Sequence, residues 1–147
     1  MSDGEPLYAF PKPDALVAAV AKAKATLPAF QAALTGYTHR GAFHGVKVHF
    51  PHPNGGEGLH IWLRVNQYFA DLYFSSLIER PPEFVGLKMD ETKLVSDDEV
   101  EDWMILDRGT LFGGFSFRAI REQMPEAERV AMDKRMGVTA YAAEDAT

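Results

Sequence analysis

The sequence predicts an α+β domain, an antiparallel curved sheet of about five strands packed by an N-terminal helix, with a second helix near the C-terminus. Three observations carry this. Apolar residues recur at spacings of three and four over residues 14–35, the stripe of an amphipathic helix. From residue 43 the period changes to two, as in half-buried strands. Helical punctuation returns at Pro125 and ends at Gly137. No long linker or repeat divides the 147 residues, so one domain over 1–147 is expected, with the leader 1–12 and the tail 138–147 less ordered. Strand order is left open, as is closure of the sheet into a partial barrel.

Asp14 stands where an N-cap belongs, and Leu16, Val20, Ala23, Leu27, Phe30 and Leu34 form the buried stripe. Pro28 lacks a backbone N–H, so the helix is expected to break there, with Thr26 as a second cap and Gly36 as the stop. Residues 43–50 (FHGVKVHF) and 59–66 (LHIWLRVN) alternate across the long turn PHPNGGEG, and 68–77 (YFADLYFSSL) reads as a third strand. A short strand is expected around Lys93–Val95. Seven of the twenty-one carboxylates then crowd into residues 90–102. Ser96 and Glu99 have capping-box spacing, and no calcium-loop pattern is present, so this is a capped helical turn. Two further strands, near 102–106 and 110–118, meet through Asp107-Arg108-Gly109 as a three-residue hairpin. A helix is expected to begin within 117–123, and another to run from Pro125 to Arg135.

Composition narrows the function. Fifteen basic against twenty-one acidic residues give a net charge of −6, which disfavours nucleic-acid binding. Cysteine is absent, so disulfides, thiolate metal sites and thiol nucleophiles are excluded. The acidic start lacks a secretory signal pattern, and no apolar run has the length of a membrane span. A cytoplasmic protein without membrane association is expected. No nucleophile elbow, phosphate loop or dinucleotide fingerprint occurs, and no cofactor is implied.

All five histidines (His39, His44, His49, His52, His60) fall within 22 residues. Pairing the first two strands with His49 opposite His60 sets Lys47 opposite Trp62 and Gly45 opposite Arg64. The other side then carries Val46, Val48, Phe50, Leu59, Ile61, Leu63 and Val65, a clean apolar face. Lys47, His49, His60, Trp62 and Arg64 make a cationic and aromatic patch suited to a small anionic ligand or an acidic protein segment. If the patch is not covered by a helix, it is the working surface. His49 and His60, with Cβ atoms about 4.5–5.5 Å apart, also suggest a metal site completed by His52, with Glu57 as base. In the second hairpin Trp103 would lie opposite Gly113 and Asp102 opposite Gly114. The indole then covers the glycine backbone, and Arg118 stands near Asp102.

These residues resemble a bacterial family known as domain of unknown function 2314. The resemblance rests on the Ala-rich helix ending in Leu27-Pro28-Ala29-Phe30, on His60-Ile61-Trp62, and on Asp102-Trp103-Met104 followed by Gly109, Gly113-Gly114 and Arg118. It spans most of residues 15–120. A common family form has Glu before the histidine, where this sequence has Leu59. The resemblance implies a cytoplasmic bacterial domain with an antiparallel sheet and supplies no reaction. The expected function is a non-catalytic binding or accessory domain using Lys47, His49, His60, Trp62, Arg64, Trp103 and Arg118. The alternative is a metal-assisted hydrolase on His49, His52 and His60. Oligomeric state is not set by the sequence.

Overall fold

The computed structural model describes residues 13–51, 55, 58–78, 88–89 and 91–147. Its elements are α1 (Pro13–Thr35), β1 (Phe43–Phe50), β2 (Leu59–Phe69), β3 (Leu72–Leu77), β4 (Lys93–Val95), a 3-10 turn (Asp97–Glu99), β5 (Asp102–Asp107), β6 (Thr110–Gly113), α2 (Phe115–Glu122), α3 (Glu126–Met136) and β7 (Ala140–Tyr141). The seven strands form one sheet in the order β4-β3-β2-β1-β5-β6-β7. All neighbours are antiparallel except β6 and β7. The class is α+β as expected, with seven strands rather than about five. The edges β4 and β7 do not pair with each other, so the sheet is open and does not close as a barrel.

The alternation read from the sequence sets the central register. His49 pairs with His60, Lys47 with Trp62 and Gly45 with Arg64. One face of the sheet therefore carries Val46, Val48, Ile61, Leu63, Val65, Trp103 and Ile105, which pack with Ala19, Ala23, Leu27 and Phe30 of α1. On the other face Trp62, Met104 and Leu111 pack with Phe117 of α2, Met132 of α3 and Val138. A bulge between Val65 and Gln67 resets the alternation, which returns Tyr68 to the α1 side beside Tyr73.

Several local expectations are corrected. The first helix runs unbroken through Pro28. Thr26 is not a second cap: its hydroxyl donates back to Lys22 O at 2.7 Å and accepts from Trp103 Nε1 at 3.0 Å. Packing of the apolar stripe therefore outweighs one lost backbone bond. The expected strand 68–77 begins at Leu72, because Ala70 and Asp71, both with positive φ, turn the chain there. The second hairpin has a two-residue loop, Arg108-Gly109, both left-handed. That moves the register by one, so Met104 and not Trp103 faces Gly113. The last strand also stops at Gly113 and does not continue to 118, since Gly113 (φ 67°) and Gly114 (φ 64°) turn it directly into α2. Two successive left-handed residues end a strand, and only glycine adopts them without strain. Ala140–Tyr141 adds a parallel strand to β6.

The capping box holds. Glu99 Oε1 accepts from the Ser96 N–H at 2.9 Å and its hydroxyl at 3.1 Å. The last helix ends at left-handed Gly137, as read.

Candidate functional site

The residues singled out from the sequence do not form one surface. Lys47 is 2% exposed and Trp62 4% exposed, because α2 covers this part of the sheet. Phe117 stacks on the Trp62 indole at 5.1 Å with planes 9° apart. The helix leaves the ends of the patch open. His49 and Arg64 are exposed, and His60 is half-buried.

The His49 and His60 rings lie 4.8 Å apart, and His60 Nδ1 meets Glu101 Oε1 at 2.5 Å. A carboxylate only accepts, so the proton of this contact sits on Nδ1 when the imidazole is neutral. His52 and Glu57 lie outside the described residues. Among the described residues no three His, Asp or Glu side chains group as a metal site.

Trp103 sits on the opposite face, fully buried, stacked on Phe30 at 5.1 Å and edge-on to Phe115 at 5.9 Å. The indole does cover Gly113, although the pairing is shifted. A Cβ there would stand 2.6 Å from Trp103 Cε3. Arg118 does not pair with Asp102. Its Nε donates to Gly113 O at 2.7 Å, Nη2 to Leu111 O at 3.2 Å, and its guanidinium lies over Tyr141 at 5.5 Å. These contacts hold the strand-to-helix turn.

Asp102, at 1% exposure, caps α2 from across the sheet. Oδ1 accepts from Trp103 N at 2.9 Å and Phe115 N at 3.1 Å. Oδ2 accepts from Ser116 N at 2.8 Å and Ser116 Oγ at 2.6 Å. Left-handed Gly114 has no side chain to cap the helix, and Asp102 supplies the acceptor instead. Burial pushes its carboxyl up to about 6, against the pull of the Ser116 and Phe115 donors and of Lys47. Lys47 faces it across β1 and β5, and burial lowers the ammonium pKa from its ordinary value.

A cleft of about 430 Å³ opens where α1 ends, walled by Ala33, Leu34, residues 36–37 and 39–42, His44 and residues 64–67 of β2. Its polar lining includes Tyr37, His39, Arg40, His44 and Arg64, with no carboxylate. Arg40 lies over Tyr37 at 5.6 Å and Arg64 over Phe43 at 4.9 Å. His39 is 4% exposed, and its Nδ1 donates to Asp107 Oδ2 at 2.8 Å. His44 Nδ1 donates to Ala42 O at 3.1 Å. Both Nε2 atoms are buried with no partner among the described residues.

This cleft was missed in the sequence. Its signal was His44, a histidine on the apolar side of an alternating strand. The residues that build the cleft come from three separate segments, and no local spacing links them.

The chain belongs to a family of uncharacterised proteins conserved in bacteria. The model of that family, domain of unknown function 2314, matches residues 13–139, which include both core faces and the cleft. The chain is also 34% identical over 80 residues to a putative ankyrin repeat protein of Neisseria meningitidis serogroup B. That match covers 54% of this chain and 31% of the relative, so the chain spans less than a third of that protein. No solved structure matches. Among the described residues no helix is long and apolar enough to cross a membrane.

Proposed function

We propose that this domain is a non-catalytic binding or accessory module of the bacterial cytoplasm, and that it takes a small anionic ligand in the cleft at the end of α1. The supporting observation is the lining. In a chain of net charge −6, the cleft gathers the cations Arg40 and Arg64 beside the imidazoles of His39 and His44, and no carboxylate lines it. Local positive charge in a concave site concentrates anions even against the net charge, and about 430 Å³ lies within the range of small-molecule sites. Arg64 carries over from the patch read in the sequence. Trp62 and Lys47 serve the core, so substituting them tests stability and not ligand capture.

The test is calorimetric titration with inorganic phosphate, citrate and a panel of small mono- and dicarboxylates. At least one should bind with a Kd below about 1 mM, weaken with added salt, and lose at least tenfold in an Arg40→Glu/Arg64→Glu variant that melts like the wild type. Binding that survives the double charge reversal removes the cleft from consideration, and failure of every anion removes the reading.

His49 beside His60, with Glu101 on His60 Nδ1, favours metal-assisted hydrolysis as a second reading. It requires zinc-dependent ester or phosphoester cleavage that is lost in His60→Gln.

A further inference from the structure

We infer that Met124 and Met136 form a peroxide-sensitive modification site that sets how firmly α3 docks on the sheet. The inference is independent of what the cleft binds, since its readouts are on the methionines and on α3.

Four of the six methionines, Met104, Met124, Met132 and Met136, gather with Trp62 and Phe117 in the core on the sheet face opposite α1. Cysteine is absent, so the thioether is the sulfur that an oxidant meets in this chain. The concentration follows from how α3 is built. Within EAERVAMDKRM, Ala127, Val130 and Ala131 are exposed, Met132 is buried and Met136 is half-buried. The apolar side chains that α3 packs into the core are therefore methionines. Met124 joins them from the residue before Pro125, where the helix begins.

The polar bonds of α3 run in other directions. Arg121 donates to the two oxygens of Asp133 at 3.0 and 2.8 Å. Arg129 donates to the carbonyls of Arg121 at 3.0 Å and Met124 at 2.9 Å. Tyr141 of β7 donates to Asp133 at 2.5 Å. These bonds tie α3 to the end of α2 and to the sheet edge, and none of them reaches β1, β2 or β5. Docking over the middle of the sheet rests on the sulfur-bearing side chains.

A thioether is polarisable and packs well against aromatic rings, and oxidation removes that fit. With hydrogen peroxide, a sulfur lone pair attacks one peroxide oxygen and the O–O bond breaks. The sulfur is oxidised to the sulfoxide, and the peroxide is reduced to water. A sulfoxide is polar, so at a half-buried position it draws its side chain out of the cluster and toward water. Met124 and Met136 are half-buried and stand one at each end of α3, whereas Met104 and Met132 are buried. Modifying the outer pair loosens both ends of the helix, and local opening then admits peroxide to Met132. Methionine sulfoxide reductases regenerate the thioether, which makes the site reversible.

The experiment treats the full chain with hydrogen peroxide, following each methionine by peptide mass spectrometry and α3 by amide hydrogen exchange. In the folded chain Met124 and Met136 should oxidise at least tenfold faster than Met104 and Met132, a difference that vanishes in urea. With both sulfoxides in place, the amides of α3 should exchange at least tenfold faster, and methionine sulfoxide reductase should restore the slow rate. Met124→Leu/Met136→Leu keeps the volume without the sulfur. Its α3 should stay slow to exchange after the same treatment, although exposed Met89 is still oxidised. Met89→Leu should respond like the wild type. Unchanged exchange in a wild type carrying both sulfoxides overturns the inference. An equal loss of protection in the double leucine variant does so as well, and so do equal oxidation rates for all four methionines in the folded chain.

Discussion

Replacing Asp102 by Asn should change stability in a pH-dependent way, and the direction follows from the burial of the carboxyl. Its four accepted bonds come from three backbone N–H groups and one hydroxyl. An Asn side chain keeps one acceptor oxygen and turns an NH2 toward donors, which costs about 1–3 kcal/mol at any pH. The pH-dependent part comes from the folded-state value of about 6 against the ordinary 3.8. A carboxyl with a raised folded pKa gives the native state more bound protons between those limits. Its contribution to stability is therefore fully present below about 3.8 and is lost as pH rises through about 6. At about 1.4 kcal/mol per pH unit, roughly 2 kcal/mol disappears between pH 4.5 and pH 7.5. Urea unfolding followed by the fluorescence of the two buried indoles, Trp62 and Trp103, measures this directly. The stability difference between wild type and Asp102→Asn should be about 2 kcal/mol larger at pH 4.5 than at pH 7.5. All other titrating groups are common to both proteins and cancel. A difference that shrinks at pH 4.5 would mean that the charged carboxylate is the favoured form under α2, and the reasoning from burial would be refuted.

Gly113→Ala should cost at least about 3 kcal/mol in denaturant unfolding. Its Cβ would stand 2.6 Å from both the indole and the backbone oxygen of Trp103, at φ 67°. Gly41→Ala, at φ 85° with open space around it, should cost only the left-handed penalty of about 1–2 kcal/mol. Ala70→Asn should raise stability by about 0.5–1 kcal/mol, measured by thermal melting. Ala70 holds φ 53° in a tight turn where Asn is the better occupant. Removing residues 138–147 should lower the melting temperature by more than 10 °C, because it deletes buried Val138 and the 2.5 Å bond from Tyr141 to Asp133.

The parts of the fold that were legible in the sequence are those whose information is local. Alternation in 43–50 and 59–66 settled the register to the residue, because a slip by one would have put Val46, Val48 and Leu63 on the wrong face. Ser96 and Glu99 announced their turn. Failures occurred where tertiary packing decided the outcome. Pro28 is tolerated because Leu27 and Phe30 on either side of it are buried against the sheet. Ala70-Asp71 is not a turn signal by composition, and the cross-strand pair Tyr68–Tyr73 holds it. The cap of α2 lies fourteen residues back, at Asp102, where no local motif could show it. For the candidate site the sequence left undecided whether the patch is covered: Arg64 and His49 are exposed and His60 is half-buried, whereas Lys47 and Trp62 are enclosed by a helix that the sequence placed too late.

The position of the cleft follows from that enclosure. Helix α1 covers one sheet face, and α2 with α3 covers the middle of the other. That leaves the ends of the sheet uncovered by these helices. One end carries His49, His60 and Glu101. At the other, α1 stops at Thr35, and the connection to β1 folds back over the sheet instead of extending the helix. Gly41, with φ 85°, lets the chain make that return, and Ala42 at the turn is too small to fill the space it opens. The result is a polar recess on an otherwise apolar face, with His39 anchored by Asp107 at the end of β5. His44 in that recess is half-buried, with its ring on Phe30 at 6.2 Å. A purely structural role for His44 would make His44→Leu stabilising, since leucine fills the volume and removes a sealed acceptor. A ligand-holding role makes the same substitution stabilise the empty protein while weakening its response to inorganic phosphate, and melting curves with and without phosphate separate the two.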